Sequence, residues 1–171
     1  MTKVINIFGA PGSGKSTLAF GLAYNLKLRG IETEIAHEYI KEKVYEGSPY
    51  PFHDQLYTYA KQNKKLNQLN GKVEYIITDS PSVQCVAYVE DEPKIYSQMA
   101  LDYFNRYDNM NFFLKRTHPY QASGRHQTEL EAAVVGNKIE GMLKRLNIPY
   151  ETINANKALE TILERVLCKS F

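Results

Sequence analysis

Residues 5–17 read Ile5-Asn6-Ile7-Phe8-Gly9-Ala10-Pro11-Gly12-Ser13-Gly14-Lys15-Ser16-Thr17, an apolar run that breaks into a glycine-rich turn and ends on a lysine and two hydroxyls. Val4–Phe8 has the pattern of a parallel strand buried on both faces. From Ser16 to Arg29, Leu18, Ala19, Leu22, Ala23 and Leu26 recur at helical spacing, and Gly30 stands where that helix should end. Gly9 to Ser16 therefore spells G-x-x-x-x-G-K-S between a predicted strand and a predicted helix, the context that gives this pattern its meaning. Glycines let successive backbone N–H groups turn inward on a phosphate with no Cβ in the way. The helix that follows aims the positive end of its dipole at the same point.

The expected cradle is Gly9, Ala10, Pro11, Gly12, Ser13, Gly14, Lys15, Ser16 and Thr17, and the expected ligands are ATP and Mg²⁺. Lys15 would reach the β- and γ-phosphates, and the Ser16 hydroxyl would ligate the metal. The plainer alternative is an accidental glycine turn. A cradle alone does not say whether the γ-phosphoryl group goes to water or to a second substrate.

Beyond the turn, strand and helix patterns alternate. Ile31–Ala36 reads as a second strand, Tyr75–Thr78 as a third, Met110–Leu114 as a fourth and Tyr150–Ile153 as a fifth. Helical patterns fall at Glu38–Glu46, Phe52–Asn70, Val83–Val89, Lys94–Asn105, Glu129–Leu146 and Lys157–Leu167, and Thr128–Glu131 has the form of a capping box. Phe52, Leu56, Tyr59 or Ala60, Asn63, Leu66 and Leu69 are the repeating positions of the Phe52–Asn70 helix. The alternation implies a parallel α/β sheet with helices on both faces. At 171 residues, with no linker, repeat or low-complexity segment, residues 1–171 read as a single domain.

Composition sets the outer limits. The chain is 43% hydrophobic and 23% charged, which is ordinary for a globular protein, and its formal charge of +2 does not announce a nucleic-acid binder. No apolar stretch is long enough to span a bilayer and no signal-peptide pattern opens the chain, so no membrane partner and a cytoplasmic location are expected. Two distant cysteines, Cys85 and Cys168, argue against a disulfide framework or zinc site and read as reduced packing residues.

Three other places bear on the fate of the phosphoryl group. Asp79 ends the third strand in Ile76-Ile77-Thr78-Asp79-Ser80-Pro81, the Walker B form of a carboxylate that holds Mg²⁺; it would equally suit a cap on the next turn. His37-Glu38 ends the second strand, and ligands of a parallel sheet collect at the carboxyl ends of its strands. Glu38 could handle the proton of an acceptor hydroxyl, or simply begin a helix. Lys115–Gln127 follows the fourth strand and carries Arg116 and Arg125. It could close over a triphosphate, or be an ordinary solvated basic loop.

With these residues laid out, the chain resembles the small P-loop kinases that act on nucleosides and nucleotides. The order GAPGSGKST, HEYIKE, DQLYTYAKQNKKLNQL, YIITDSPSVQ is similar to the ribosylnicotinamide-kinase-like branch and to phage-encoded kinases, including those that phosphorylate 5-hydroxymethyluracil in DNA. The resemblance implies a P-loop three-layer sandwich with a five-stranded parallel sheet in order 2-3-1-4-5 and a lid at about residues 115–128. It also implies that Lys15, Glu38, Asp79, Arg116 and Arg125 are catalytic, that Arg116 also contacts the nucleotide, and that Ser16 and Asp79 hold the metal. Glu38 departs from relatives with Asp at its position, which leaves the division of labour between Glu38 and Asp79 open.

The expected activity is transfer of the ATP γ-phosphoryl group to a hydroxyl of a nucleoside-like small molecule or of a modified DNA base. In the DNA case Tyr39, Tyr45, Tyr50, Phe52, Tyr57 and Tyr59 could stack a flipped base, and Lys61, Lys64 and Lys65 could meet phosphates. An ATP hydrolase or switch of the AAA type is the second reading. It would want an acidic pair at Walker B, whereas Asp79 is followed by Ser80.

Overall fold

The computed structural model describes residues 2–47, 54–89, 93–121 and 128–168. Five strands form one parallel sheet: β1 Lys3–Phe8, β2 Thr33–Ile35, β3 Tyr75–Thr78, β4 Asp108–Lys115 and β5 Glu151–Asn154. They lie in the order β2-β3-β1-β4-β5, as the resemblance implies. Register pairs Ile5 with Ile77 and with Met110, and Ile35 with Ile77, so β2 ends level with Ile5 and β3 with Asn6, while β1 runs on to Phe8.

The helices are α1 Lys15–Leu28, α2 Tyr39–Tyr45, α3 Gln55–Leu69, α4 Lys94–Phe104, α5 Glu129–Arg145 and α6 Ala158–Leu167. Successive strand residues point to opposite faces, and the core divides accordingly. Ile5, Ile7, Phe112 and Leu114 face α1 and α6, where they meet Leu18, Leu22, Leu26, Ile162 and Val166. Phe8 and Phe113 face the other way, toward Tyr59 of α3, Tyr96 and Ala100 of α4, and Ile139 and Leu143 of α5. β1 is buried from Val4 to Phe8, as its apolar run suggests. Asn6, in the middle of that run, is buried too, and its side-chain amide donates to the side-chain oxygens of Asn109 and Asn111 at 2.8 and 2.9 Å.

Three local expectations need correction. The stretch from Val83 to Val89 is a 3-10 helix, Ser82–Tyr88, and its residues Ser82 to Val86 are all buried. It packs against α3, α4 and α5 together and is exposed only toward its end at Tyr88, so no continuous solvent face imposes an α-helical stripe. In α3 the buried residues are Thr58, Tyr59, Gln62, Asn63 and Leu66, while Leu56 is exposed. Tyr59, Asn63 and Leu66 keep the expected stripe, and Gln62 joins it because its amide reaches the ends of β2 and β3. Cys85 is buried, whereas Cys168 is exposed at the end of α6 and does not serve packing. The capping box at Thr128 is present in full.

Candidate active site

The turn between β1 and α1 is held open by its glycines. Gly9 has φ +142°, and a Cβ there would stand 2.7 Å from the Leu114 carbonyl oxygen, so only glycine lets the end of β4 approach. Gly14 caps α1 at φ +95° with no side-chain bond, which leaves the first N–H groups of α1 aimed into the turn. Lys15 folds back over the loop, and its ammonium donates to the carbonyl oxygens of Gly9 and Ala10, both at 2.9 Å. Ser13 is buried within the loop, and its hydroxyl has no partner among the described residues. Thr17 is exposed.

β3 brings the first carboxylate. The Ser16 hydroxyl donates to Asp79 Oδ2 at 2.6 Å, joining residues 63 positions apart. Asp79 is only 4% exposed, and its other oxygen, Oδ1, is buried with no hydrogen-bond partner among the described residues. A buried carboxylate oxygen without a donor is costly unless a cation meets it. A hydroxyl, a carboxylate and a phosphate-directed loop form the hard oxygen donor set that Mg²⁺ shares with phosphates and water, so these residues fit the metal.

β2 brings the second carboxylate. Glu38 lies three residues past β2, and its charge helps to hold the Cys85 thiol and Tyr88 phenol of the 3-10 helix above their usual values, after burial, which is the larger cause. The Glu38 segment is tied down by Gln62 of α3, which is 2% exposed. Gln62 Oε1 accepts from the Tyr39 backbone N–H at 3.0 Å, and its Nε2 donates to the Ala36 carbonyl at 3.3 Å and to Thr78 Oγ1 at 3.5 Å. One amide thus spans the ends of β2 and β3, next to both carboxylates. Sequence reading missed Gln62. The available signal was a glutamine at helical spacing between Tyr59 and Leu66.

β4 leads into the predicted lid. Arg116 makes an ion pair with Glu129, at the start of α5, and its guanidinium carbon lies 5.2 Å from the centre of the Tyr120 ring. Its Nη1 is buried and has no hydrogen-bond partner among the described residues. His118 lies near the cradle, with Nε2 3.5 Å from where a Gly14 Cβ would be, so the segment passes beside the phosphate turn. The sequence singled out the loop but not this contact. Arg125 lies outside the described residues, as do Tyr50 and Phe52 of the aromatic group. Within that group Tyr39 and Tyr57 meet edge to face at 6.0 Å, with Lys61 5.0 Å from the Tyr57 ring centre. Tyr59 is buried in the core instead.

The AAA domain family matches residues 4–160. The chain belongs to the AAA domain family. No curated protein matches the sequence. Among solved structures, this AAA domain is similar to a deoxyadenosine kinase from M. mycoides, determined with the products dCMP and a flexible dCDP, at 17% identity and a TM-score of 0.56 over 96% of this chain and 99% of that one. It is also similar to a shikimate kinase from Acinetobacter baumannii in complex with shikimate, at 16% identity and a TM-score of 0.50 over 100% and 96% of the two chains. At such identities the likeness establishes a shared fold. The AAA domain is thus a P-loop domain in the broad sense, and none of these matches singles out the ribosylnicotinamide-kinase-like or phage branch. Among the described residues, no helix is long and apolar enough to cross a membrane.

Proposed function

We propose that this AAA domain is an ATP-dependent phosphotransferase that moves the γ-phosphoryl group onto a hydroxyl of a small, nucleoside-like acceptor. The observation that carries the reading is the 2.6 Å bond from Ser16 to Asp79 beside an unpartnered Asp79 oxygen, at the mouth of a complete phosphate cradle. Ser16 and Asp79 would hold Mg²⁺, which when bound neutralises charge on the β- and γ-phosphate oxygens. Lys15 and the N–H groups at the start of α1 bind the same phosphates and align them. The acceptor hydroxyl oxygen bonds to the γ-phosphorus as the bond from that phosphorus to the bridging oxygen breaks. ADP leaves with that oxygen, and Glu38 takes the hydroxyl proton. Arg116, released from Glu129, offers its unpartnered Nη1 to the transferring group, and Arg125 is the second proposed lid arginine. That the relatives of like fold act on a deoxynucleoside and on shikimate supports a small-molecule hydroxyl acceptor here.

The second reading, an ATP hydrolase or nucleotide switch, is favoured by the family match itself. Against it stand Ser80, where a second Walker B acid would sit, and the presence of Glu38 at the neighbouring strand end. Transfer of γ-labelled phosphate from ATP with Mg²⁺ separates the two. The panel comprises free nucleosides, nucleoside monophosphates, ribosylnicotinamide, shikimate, and DNA with and without 5-hydroxymethyluracil. Label on a small-molecule hydroxyl is the expected result. Label confined to modified DNA would turn the Tyr39–Tyr57 group with Lys61 and Lys65 into a strand-binding face, and label found only as free phosphate would establish the hydrolase.

A further inference from the structure

The 3-10 helix Ser82–Tyr88 begins three residues after Asp79 and carries a polar side chain that the phosphoryl-transfer reading leaves unused. Gln84 is 5% exposed. Its Nε2 donates to the Tyr88 hydroxyl at 3.3 Å, while Oε1 is buried with no hydrogen-bond partner among the described residues. Turning the amide over would not remove the deficit. Tyr88 would then satisfy the oxygen and leave the NH₂ group unpartnered. Buried amide ends are nearly always satisfied, and one that is not calls for a ligand or an ordered water.

The surroundings define the ligand. Glu38 acts on both residues that flank this amide, Cys85 and Tyr88. Burial first and the Glu38 carboxylate second push the Cys85 thiol up to about 12, and the Tyr88 phenol is raised by the same two causes. The two residues beside the amide therefore sit within the field of Glu38, the carboxylate that would serve an acceptor hydroxyl as base. An anionic ligand group would be repelled by Glu38. An uncharged polar group, donor or acceptor, meets the amide in one orientation or the other.

We propose that Gln84 reads the phosphoryl acceptor, exchanging a hydrogen bond with an uncharged polar group of a nucleoside, and that Tyr88 holds the amide in position for it. The proposal rests on the phosphotransferase reading and narrows it to a neutral nucleoside rather than a nucleoside monophosphate or a carboxylate acceptor.

The test measures binding separately from turnover. Full-length wild-type, Gln84→Leu and Tyr88→Phe proteins are titrated by calorimetry with deoxyadenosine, deoxycytidine, deoxyguanosine and thymidine, and with their 5′-monophosphates, in the presence of Mg²⁺ and a non-hydrolysable ATP analogue. The wild type is expected to bind at least one nucleoside more tightly than its monophosphate. Gln84→Leu should weaken that binding by about tenfold or more while the affinity for the ATP analogue changes by less than about twofold. Tyr88→Phe should weaken nucleoside binding several-fold by freeing the amide. Tyr88 is 39% exposed, so this variant carries the test if Gln84→Leu does not fold. Nucleoside binding unchanged in the variants, tighter binding of the monophosphate, or no nucleoside binding by the wild type would each overturn the assignment. If nucleoside binding depends on Gln84 yet label from ATP reaches only water, the assignment stands and the phosphotransferase reading falls.

Discussion

Asp79 combines two properties that rarely coincide in a structural aspartate: burial, and an oxygen with no donor. Its bonded oxygen orients the Ser16 hydroxyl, so that hydroxyl and carboxylate act as one unit. Removing either member should chiefly damage the metal requirement. Asp79→Asn and Ser16→Ala are each expected to raise the Mg²⁺ concentration for half-maximal transfer by about 10- to 100-fold. A Mg²⁺ titration of the labelled-phosphate assay checks this, and an unchanged titration midpoint would remove the pair from the metal site. Lys15, Ser16 and Asp79 were legible as site residues because their chemistry is written into a contiguous motif or a strand end. Gln62 and Gln84 were not. A glutamine is ordinary on a helix surface, and only burial reveals that one bridges two strands and that the other has an end left over.

The elements position the proposed lid arginine as well as the glycine turn. α5 begins at Glu129, and its first turn carries Glu129, which pairs with Arg116, and Glu131, which completes the capping box. The Thr128 backbone N–H, first, and its hydroxyl, second, donate to the Glu131 carboxylate and hold its pKa below the ordinary value. The unfolded chain has no such donors and binds the proton more readily. The stabilisation is therefore present at neutral pH and is lost as pH falls through the acid range. Glu131→Gln is expected to lower Tm at pH 7, with the difference from wild type closing below about pH 4, the unperturbed range of a glutamate. Thr128→Ala should cost about 1 kcal/mol through the same cap. Thermal melts across pH would detect both, and a pH-independent gap for Glu131→Gln would contradict the assigned role. The capping box was visible in the sequence because its four residues are consecutive. The 3-10 helix was not, because packing between three helices sets its pitch.

At the scale of the molecule, one edge of the sheet gathers everything. The cradle follows β1, Glu38 follows β2, Asp79 follows β3 and Arg116 follows β4, and parallel pairing brings all four strand ends to the same side. A ligand that bridges them binds the folded state alone. With Mg²⁺ and a non-hydrolysable ATP analogue at about 100 times its Kd, stabilisation should reach about 2.7 kcal/mol. For a chain of this size that raises Tm by several degrees, about 5–10 °C. Chelating Mg²⁺ should remove much of the shift, and Asp79→Asn should show little of the metal-dependent part.

The sequence by itself determined the alternation of strands and helices, the phosphate turn and the carboxylates at the strand ends, because local periodicity and short motifs depend on neighbours along the chain. Tertiary structure alone decided that Leu56 of α3 is exposed, that Gln62 joins β2 to β3, that Arg116 pairs with Glu129, and that one end of the Gln84 amide is buried with no partner among the described residues. Those facts depend on burial and on partners tens of residues away, which no local pattern encodes.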